Sequence, residues 1–316
     1  MAVEDVRFFA VGHGRSGTTW LEHTLNTHPE VLCNGSGMFF GKNIESIGGR
    51  RLLSQVILNS EELKSWHATG LNLWTDPEEF DRDAAQITRA IIDTIMRREL
   101  TASGKRILGD RTPHYVSHLP EVHSLFPEAR VVHAIRDGRD VAISGMHSFW
   151  KSSQDRGGPV QLTPEEQDIR DAYLRDREGF LSSGRSVFTE ARIRQRASGW
   201  NRIVRNGRQT GRKLFGDHYT ELHYEDHLAN PHEALQRVFG FLEADVSPQV
   251  LDRVVEENRF EKLTGRTPGQ ESSGSFMRKG ISGDWREVFT ERDKEIFKEE
   301  AGELLVELGY ERDDDW

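Results

Sequence analysis

Between Val6 and Trp20 the chain reads VRFFAVGHGRSGTTW, an apolar run that breaks into a glycine-rich loop and resumes at two threonines. A strand that ends in glycines and reopens as a helix restricts the fold, because the helix then packs back on the sheet and its first backbone N–H groups stay open at the strand's end. Gly12, Gly14 and Gly17 let the backbone turn tightly, and Thr18 and Thr19 open a helix whose N-terminus favours negative charge. The segment predicts an anion cradle. An ordinary strand-to-helix turn uses the same glycines, so the choice between the two rests on the remainder of the chain.

The spacing from Gly12 to Gly17 is that of a Walker A loop, but Thr18 stands where its lysine belongs, and Arg15 supplies the cation from inside the loop. Apolar runs at Val6 to Val11, Arg106 to Gly109, Arg130 to Ile135 and Tyr219 to Tyr224 read as short buried strands. Helical patterns lie between them, at Thr18 to Asn26, Asp83 to Leu100, Leu119 to Phe126, Asp137 to Met146 and His232 to Leu242, with Glu291 to Leu308 near the end. That alternation predicts a three-layer α/β fold, a central, mostly parallel sheet flanked by helices, with ligands bound beyond the strands' carboxyl ends. At 316 residues we expect a single domain, 1–316, in which the polar stretch 151–211 is a helical insertion on one side of the site. Thr264 to Ser275, rich in Gly, Ser, Thr and Pro, reads as an exposed, mobile loop, and the acidic ending ERDDDW as a solvated tail.

With 42 Lys and Arg against 52 Asp and Glu, the formal charge of −10 argues against a nucleic-acid surface and confines any anion site to a local basic pocket. Two further basic clusters offer one. After the third predicted strand, Arg136 stands at the strand's end and Ser144 two helical turns on, and SFMRKGISGDW places Arg278 and Lys279 beside Gly280. Either cluster, alone, also fits a salt-bridged surface turn.

Together the three segments resemble the sulfotransferases that use 3′-phosphoadenosine 5′-phosphosulfate (PAPS) and release 3′,5′-adenosine bisphosphate (PAP). Gly14, Arg15, Ser16, Gly17, Thr18, Thr19 and Trp20 are similar to that family's 5′-phosphosulfate loop, with arginine where many members carry lysine. Arg136 and Ser144 match its 3′-phosphate pair in type and spacing, and Arg278, Lys279 and Gly280 match its C-terminal RKGxxGDW loop. Trp20 and Tyr224 fall where the family has aromatic residues near the adenine. The resemblance implies a P-loop-like fold and transfer of a sulfuryl group to an acceptor hydroxyl, or less readily an amine, on a small molecule, glycolipid or carbohydrate. A P-loop kinase or nucleotide hydrolase, and a non-catalytic nucleotide-binding protein on the same fold, are the alternatives.

The resemblance also suggests the base. ILGDRTPHY is similar to the glycosaminoglycan members' pattern, with Asp110 at the carboxylate, Arg111 at the lysine and Tyr115 as the aromatic, which makes Asp110 the expected acceptor base, Arg15 a catalytic cation and His114 the alternative base. Asp110 merely pairing with Arg111 or capping the next helix is the competing structural reading. A metal at His114, His118 and His123 is not expected, because no HExxH accompanies them and Pro120 interrupts the stretch. Phe39, Phe40, Trp66 and Trp74 are candidates for an acceptor pocket or for ordinary core. No positively charged start with an apolar stretch precedes the first strand, no uncharged apolar run approaches the ~18 residues of a membrane span, and Cys33 is the single cysteine. The expectation is a cytoplasmic, metal-independent protein with no nucleic-acid partner and no transmembrane segment. The oligomeric state is not legible.

Overall fold

The computed structural model describes residues 6–40, 76–154, 161–271, 277–313 and 315–316. Five parallel strands, β1 (Val6–Gly12), β2 (Val31–Gly35), β3 (Ile107–Arg111), β4 (Arg130–Ile135) and β5 (Tyr219–His223), lie in the order β2-β3-β1-β4-β5. β1 takes the centre because it is apolar on both faces: Phe8 and Ala10 turn to one layer, Phe9 and Val11 to the other, and all four are fully buried. Strand order reverses at β1, the switch point beyond which an open parallel sheet leaves a crevice.

One layer holds α1 (Thr18–Thr27) and, further along the chain, helices at Pro231–Phe241 and Pro248–Glu257, whose Leu21, Leu25, Leu235, Phe239 and Val254 cover Phe8, Ala10, Val132 and Leu222. The other face is covered by α2 (Pro77–Ser103), a 3₁₀ turn at Pro113–Ser117 and α3 (Leu119–Leu125), with Phe9, Val11, Leu108 and Val131 packed against Ile92, Tyr115 and Phe126. α4 (Gly138–Gln154), α5 (Pro164–Arg175), α6 (Arg177–Ser182), α7 (Glu190–Phe215), α12 (Trp285–Val288) and α13 (Glu291–Glu307) build an adjoining core around Trp200, Phe289 and Phe297. The remaining helices are α8 (Tyr224–Ala229), α9 (Pro231–Phe241), α10 (Pro248–Glu257) and α11 (Phe260–Thr264).

Local chemistry sets the helix starts. Asp76 caps α2, Thr189 caps α7, and capping boxes at Thr163 with Glu166 and Thr290 with Asp293 start α5 and α13. α1 differs: Gly17, at φ +83°, is its cap and offers no side chain, so that end is open to an external anion.

Several elements depart from the sequence reading. β2 is an additional edge strand, α2 begins at Pro77 rather than Asp83, and α4 runs on to Gln154. Tyr224 starts α8 instead of ending β5, because β5 closes at His223. α7 is more than part of an insertion: Trp200, Val204 and Ala197 on it are fully buried in the adjoining core. The tail is not merely solvated. Trp316 lies against the Arg139 guanidinium at 4.4 Å, and Glu311 pairs with the same group. Phe39 and Phe40 belong to the core, Phe40 edge-on to Phe9 and Tyr115, while Trp66 and Trp74 lie outside the described residues. No described helix is long and apolar enough to cross a membrane.

Candidate functional site

β1 delivers the glycine loop to the sheet's carboxyl edge. Arg15 sits in it at φ +74°, a left-handed conformation that a non-glycine residue adopts at an energetic cost and that turns its side chain toward α4. Its Nε donates to Ser144 Oγ at 3.1 Å, joining two residues that are 129 positions apart. A side chain at Gly17 would stand 2.5 Å from the Tyr224 ring, so loop and α8 close on each other only around a glycine. Tyr224 in turn carries the Arg136 guanidinium 4.2 Å above its ring centre.

Arg136 leaves the end of β4. Its Nη2 donates to the Ile281 carbonyl at 3.0 Å, and its own carbonyl accepts from Trp200 Nε1 at 3.2 Å. Asp140, fully buried one turn into α4, accepts from the backbone N–H of Gly283 at 2.8 Å and of Trp285 at 3.1 Å, and so fixes the 277–285 loop beside Arg136. In that loop Arg278 and Lys279 are both buried and both pair with Asp284, while Glu271 approaches Arg278 at 3.2 Å. Burial pushes the Asp284 carboxyl up, but the two cations outweigh it and hold it below the usual carboxylate range.

These groups line one cleft of about 690 Å³, counting its part open to solvent: Arg15, Gly17, Thr18, Thr19 and Trp20 from the loop and α1, Arg136 and Ser144 from β4 and α4, Tyr224 from α8, and Arg278, Lys279 and Gly280 from the 277–285 loop. The structure thus brings together three clusters spread over most of the chain. Gly14 and Ser16 belong to the loop without lining the cleft. Sequence reasoning missed the apolar walls Leu228, Phe260 and Met277, which carry no motif, and Asp140, whose signal was the second acid of RDGRD.

The cleft is built for anions. Ser16 Oγ, Arg136 Nε and Arg278 Nε are buried without a hydrogen-bond partner, and the uncapped start of α1 adds backbone N–H groups. Burial first, then Arg136 and Arg278, depress the Arg15 pKa, as expected of cations gathered around one place. A ligand with an anion at each end relieves both clusters. In the same lining Trp20 is held flat, stacked on His227 at 4.0 Å and 8°, with Nε1 donating to the Asn258 carbonyl at 2.9 Å. Burial lowers the His227 pKa to about 4, so the stack is between neutral rings at pH 7.

The expected base lies elsewhere. Asp110 is 1% exposed, and its carboxylate accepts from Thr112 Oγ1 at 2.6 Å and from the Gly37 N–H at 2.7 Å. It ties β3 to the loop after β2 and is absent from the cleft lining. Arg111 does not pair with it; its guanidinium goes to Glu22. Burial, only partly offset by those two hydrogen bonds, raises the Asp110 pKa to about 6. His114 stands on the 3₁₀ turn that follows β3, with a pKa lowered by partial burial and by His118. His13, unnoticed in the sequence because it sits between the loop's glycines, is electrostatically coupled to both His114 and Arg196 of α7. Its Nδ1 lies 2.7 Å from the Gly14 carbonyl, which only accepts, so Nδ1 carries the proton and Nε2 keeps its lone pair. No group of three or more potential metal-ligating side chains exists among the described residues.

The family model described as "Sulfotransferase family" matches residues 7–177, more than half of the chain and including the Arg15 loop, Arg136 and Ser144. Among curated proteins, dog sulfotransferase 1B1 is 35% identical over 99 residues, covering 27% of this chain and 33% of that protein. The nodulation protein NoeE of Sinorhizobium fredii is 24% identical over 310 residues, covering 96% of this chain and 66% of that protein. The chain thus spans about one to two thirds of the curated relatives it matches. Among solved structures it is similar to mouse sulfotransferase SULT7A1 complexed with PAP, at 16% identity and a TM-score of 0.49 over 96% of this chain and 85% of that one.

Proposed function

The chain belongs to the sulfotransferase family, and from that premise we propose that it moves a sulfuryl group from PAPS to an acceptor hydroxyl and releases PAP. The observation that carries the reading is the meeting of two basic groups in one cleft: the open N-terminus of α1 with Arg15, and Arg136, Arg278 and Lys279, joined where Arg15 donates to Ser144. A donor phosphorylated at both ends of its nucleoside fits two such groups, and a nucleoside triphosphate needs only the first. Trp20 and Tyr224 supply the aromatic surface.

In this reading the acceptor oxygen attacks sulfur while the bond from sulfur to the 5′-phosphate oxygen breaks, and the negative charge collects on that phosphate. Arg15, Thr18, Thr19 and the open N-terminus of α1 border the cleft where that phosphate would sit, which supports electrostatic preorganisation of the oxyanion-hole type. These cations do the work that Mg²⁺ does in phosphoryl transfer, so we place the reaction in the metal-independent class. We assign the acceptor proton to neutral His13, two positions before Arg15 in the loop, because Nδ1 faces the Gly14 carbonyl and Nε2 keeps its lone pair, whereas both Asp110 oxygens are engaged by hydrogen bonds. The buried free thiol of Cys33 suits a reducing compartment, and we place the protein in the cytoplasm.

Transfer of labelled sulfuryl from PAPS to a broad acceptor panel tests this. Arg15→Ala is expected to weaken PAP binding by roughly tenfold to a hundredfold, the worth of a lost charge-assisted contact. His13→Gln is expected to leave PAP affinity within about twofold and lower turnover by two orders of magnitude or more, in the range general-base loss produces. Unchanged turnover in His13→Gln removes that residue as the base.

A further inference from the structure

α7 carries a row of arginines, and most of them have a carboxylate: Arg192 pairs with Glu166 at 2.7 Å, Arg194 with Glu299 at 2.9 Å, Arg205 with Glu307 at 3.3 Å and Arg208 with Glu221 at 3.1 Å. Arg196 does not. It is partly buried, its Nε is buried without any hydrogen-bond partner, and its only polar contact among the described residues is a long one, Nη2 to the Gly145 carbonyl at 3.4 Å. A buried guanidinium left in this state costs desolvation energy with little returned, unless an anion joins it.

Its place says which anion. The guanidinium lies over Gly145, where an added Cβ would come within 3.1 Å of Nη1, so the glycine keeps room for it. Gly145 directly follows Ser144, the residue that holds Arg15. Phe149, one turn on, has the Arg192 guanidinium at 4.3 Å and that of Arg196 at 5.8 Å from its ring centre, an aromatic floor between two cations. His13, in the loop after β1, feels the charge of Arg196 and of His114, which follows β3, and Ser144, next to Gly145, lines the donor cleft. Glu166, whose charge acts on Arg196, is already engaged by Arg192 and by the Thr163 N–H. Burial, then Arg192, depress the Arg196 pKa, and Glu166 offsets them only in part.

We propose that the acceptor carries, besides the hydroxyl that is sulfated, an anionic oxygen group such as a carboxylate, sulfate or phosphate, and that Arg196 holds it beside His13. This rests on the sulfuryl-transfer reading and narrows it to anionic acceptors. Arg196 then acts as the specificity-determining residue, and a neutral acceptor leaves its buried charge unrelieved.

The test uses labelled PAPS and the full-length protein with small molecules from cells that express it, split on an anion exchanger at neutral pH. Labelled product is expected in the retained, anionic fraction. Arg196→Gln is expected to lower transfer to that fraction about tenfold or more, as loss of a charged hydrogen bond does, with PAP affinity by calorimetry within twofold of wild type and partial recovery in Arg196→Lys. Product from the flow-through, or from neither fraction while PAP still binds, overturns the proposal. So does an Arg196→Gln variant that raises the KM for PAPS and spares the acceptor, since Arg196 then serves the donor's sulfuryl group. Failure of the wild type to bind PAP is a different result and removes the sulfuryl-transfer reading itself.

Discussion

Arg15 and Asp110 show how differently two charged residues at strand ends behave. Arg15 is legible because three glycines flank it in a Walker-like spacing, and its left-handed φ of +74° belongs to that tight loop. Asp110 reads as an open carboxylate at the end of β3, but the loop after β2 folds over it and Gly37 closes on its Oδ2 at 2.7 Å. Nothing in the nine residues around Asp110 encodes that cover, because it comes from a segment 73 positions earlier. Asp110→Asn therefore leaves Gly37 N–H or the Thr112 hydroxyl facing an amide N–H₂, and is expected to cost about 1–3 kcal/mol of stability, read as a lower melting temperature, with turnover changed less than about threefold. The sign of its pH linkage follows from burial. Its folded pKa of about 6 lies above the unfolded value of about 3.9, so its contribution to stability is full below the unfolded value and is lost as pH rises through about 6. Asp110→Asn is expected to flatten the stability profile across that window. His13 has the opposite direction: burial lowers its pKa, so activity is expected to stay level down to the ordinary histidine pKa of about 6.5 and to fall only in more acidic solution, measured as kcat/KM against pH.

At the scale of elements, the parallel sheet was readable wherever a strand was apolar on both faces, as in FFAV of β1 and VVHAI of β4. β2 was not, since Val31–Gly35 alternates, ends in Asn-Gly and sits at the edge, where Leu32 and Asn34 remain partly exposed. The tail was misread for an electrostatic reason. Its composition is that of a solvated segment, yet Arg139 is fully buried between Trp285 at 3.7 Å and Trp316 at 4.4 Å and is neutralised by Asp137 and Glu311. Tyr310 adds a hydrogen bond to Glu225, which in turn accepts from the Asp137 N–H at 3.1 Å. The tail thus braces the start of α4 from behind, and α4 holds the 277–285 loop through Asp140. Glu311→Gln and Trp316→Ala are expected to weaken PAP binding severalfold without either residue touching the cleft. Calorimetry checks this, with circular dichroism showing that the fold persists.

Across the whole molecule, the site comes from the convergence of charges more than from any one motif. The chain is acidic overall, yet Arg15, Arg136, Arg278 and Lys279 converge on one cleft from three parts of the chain because β1, β4 and the 277–285 loop all end at the same edge. That convergence was foreseeable from a parallel sheet and three basic clusters. The acceptor side we propose was not, because Arg196 stands in a segment whose spacing carries no recurrent pattern and reaches Gly145 only when α7 packs over α4. The central claim is that the cleft is matched to a nucleotide with an anion at each end. Its most direct test is calorimetry of PAP, 5′-AMP and ATP with Mg²⁺ on the same protein. We expect PAP to bind without metal, and at least about tenfold more tightly than 5′-AMP, since the 3′-phosphate adds charge-assisted contacts. Equal affinity for PAP and 5′-AMP, or preference for Mg²⁺-ATP, contradicts it.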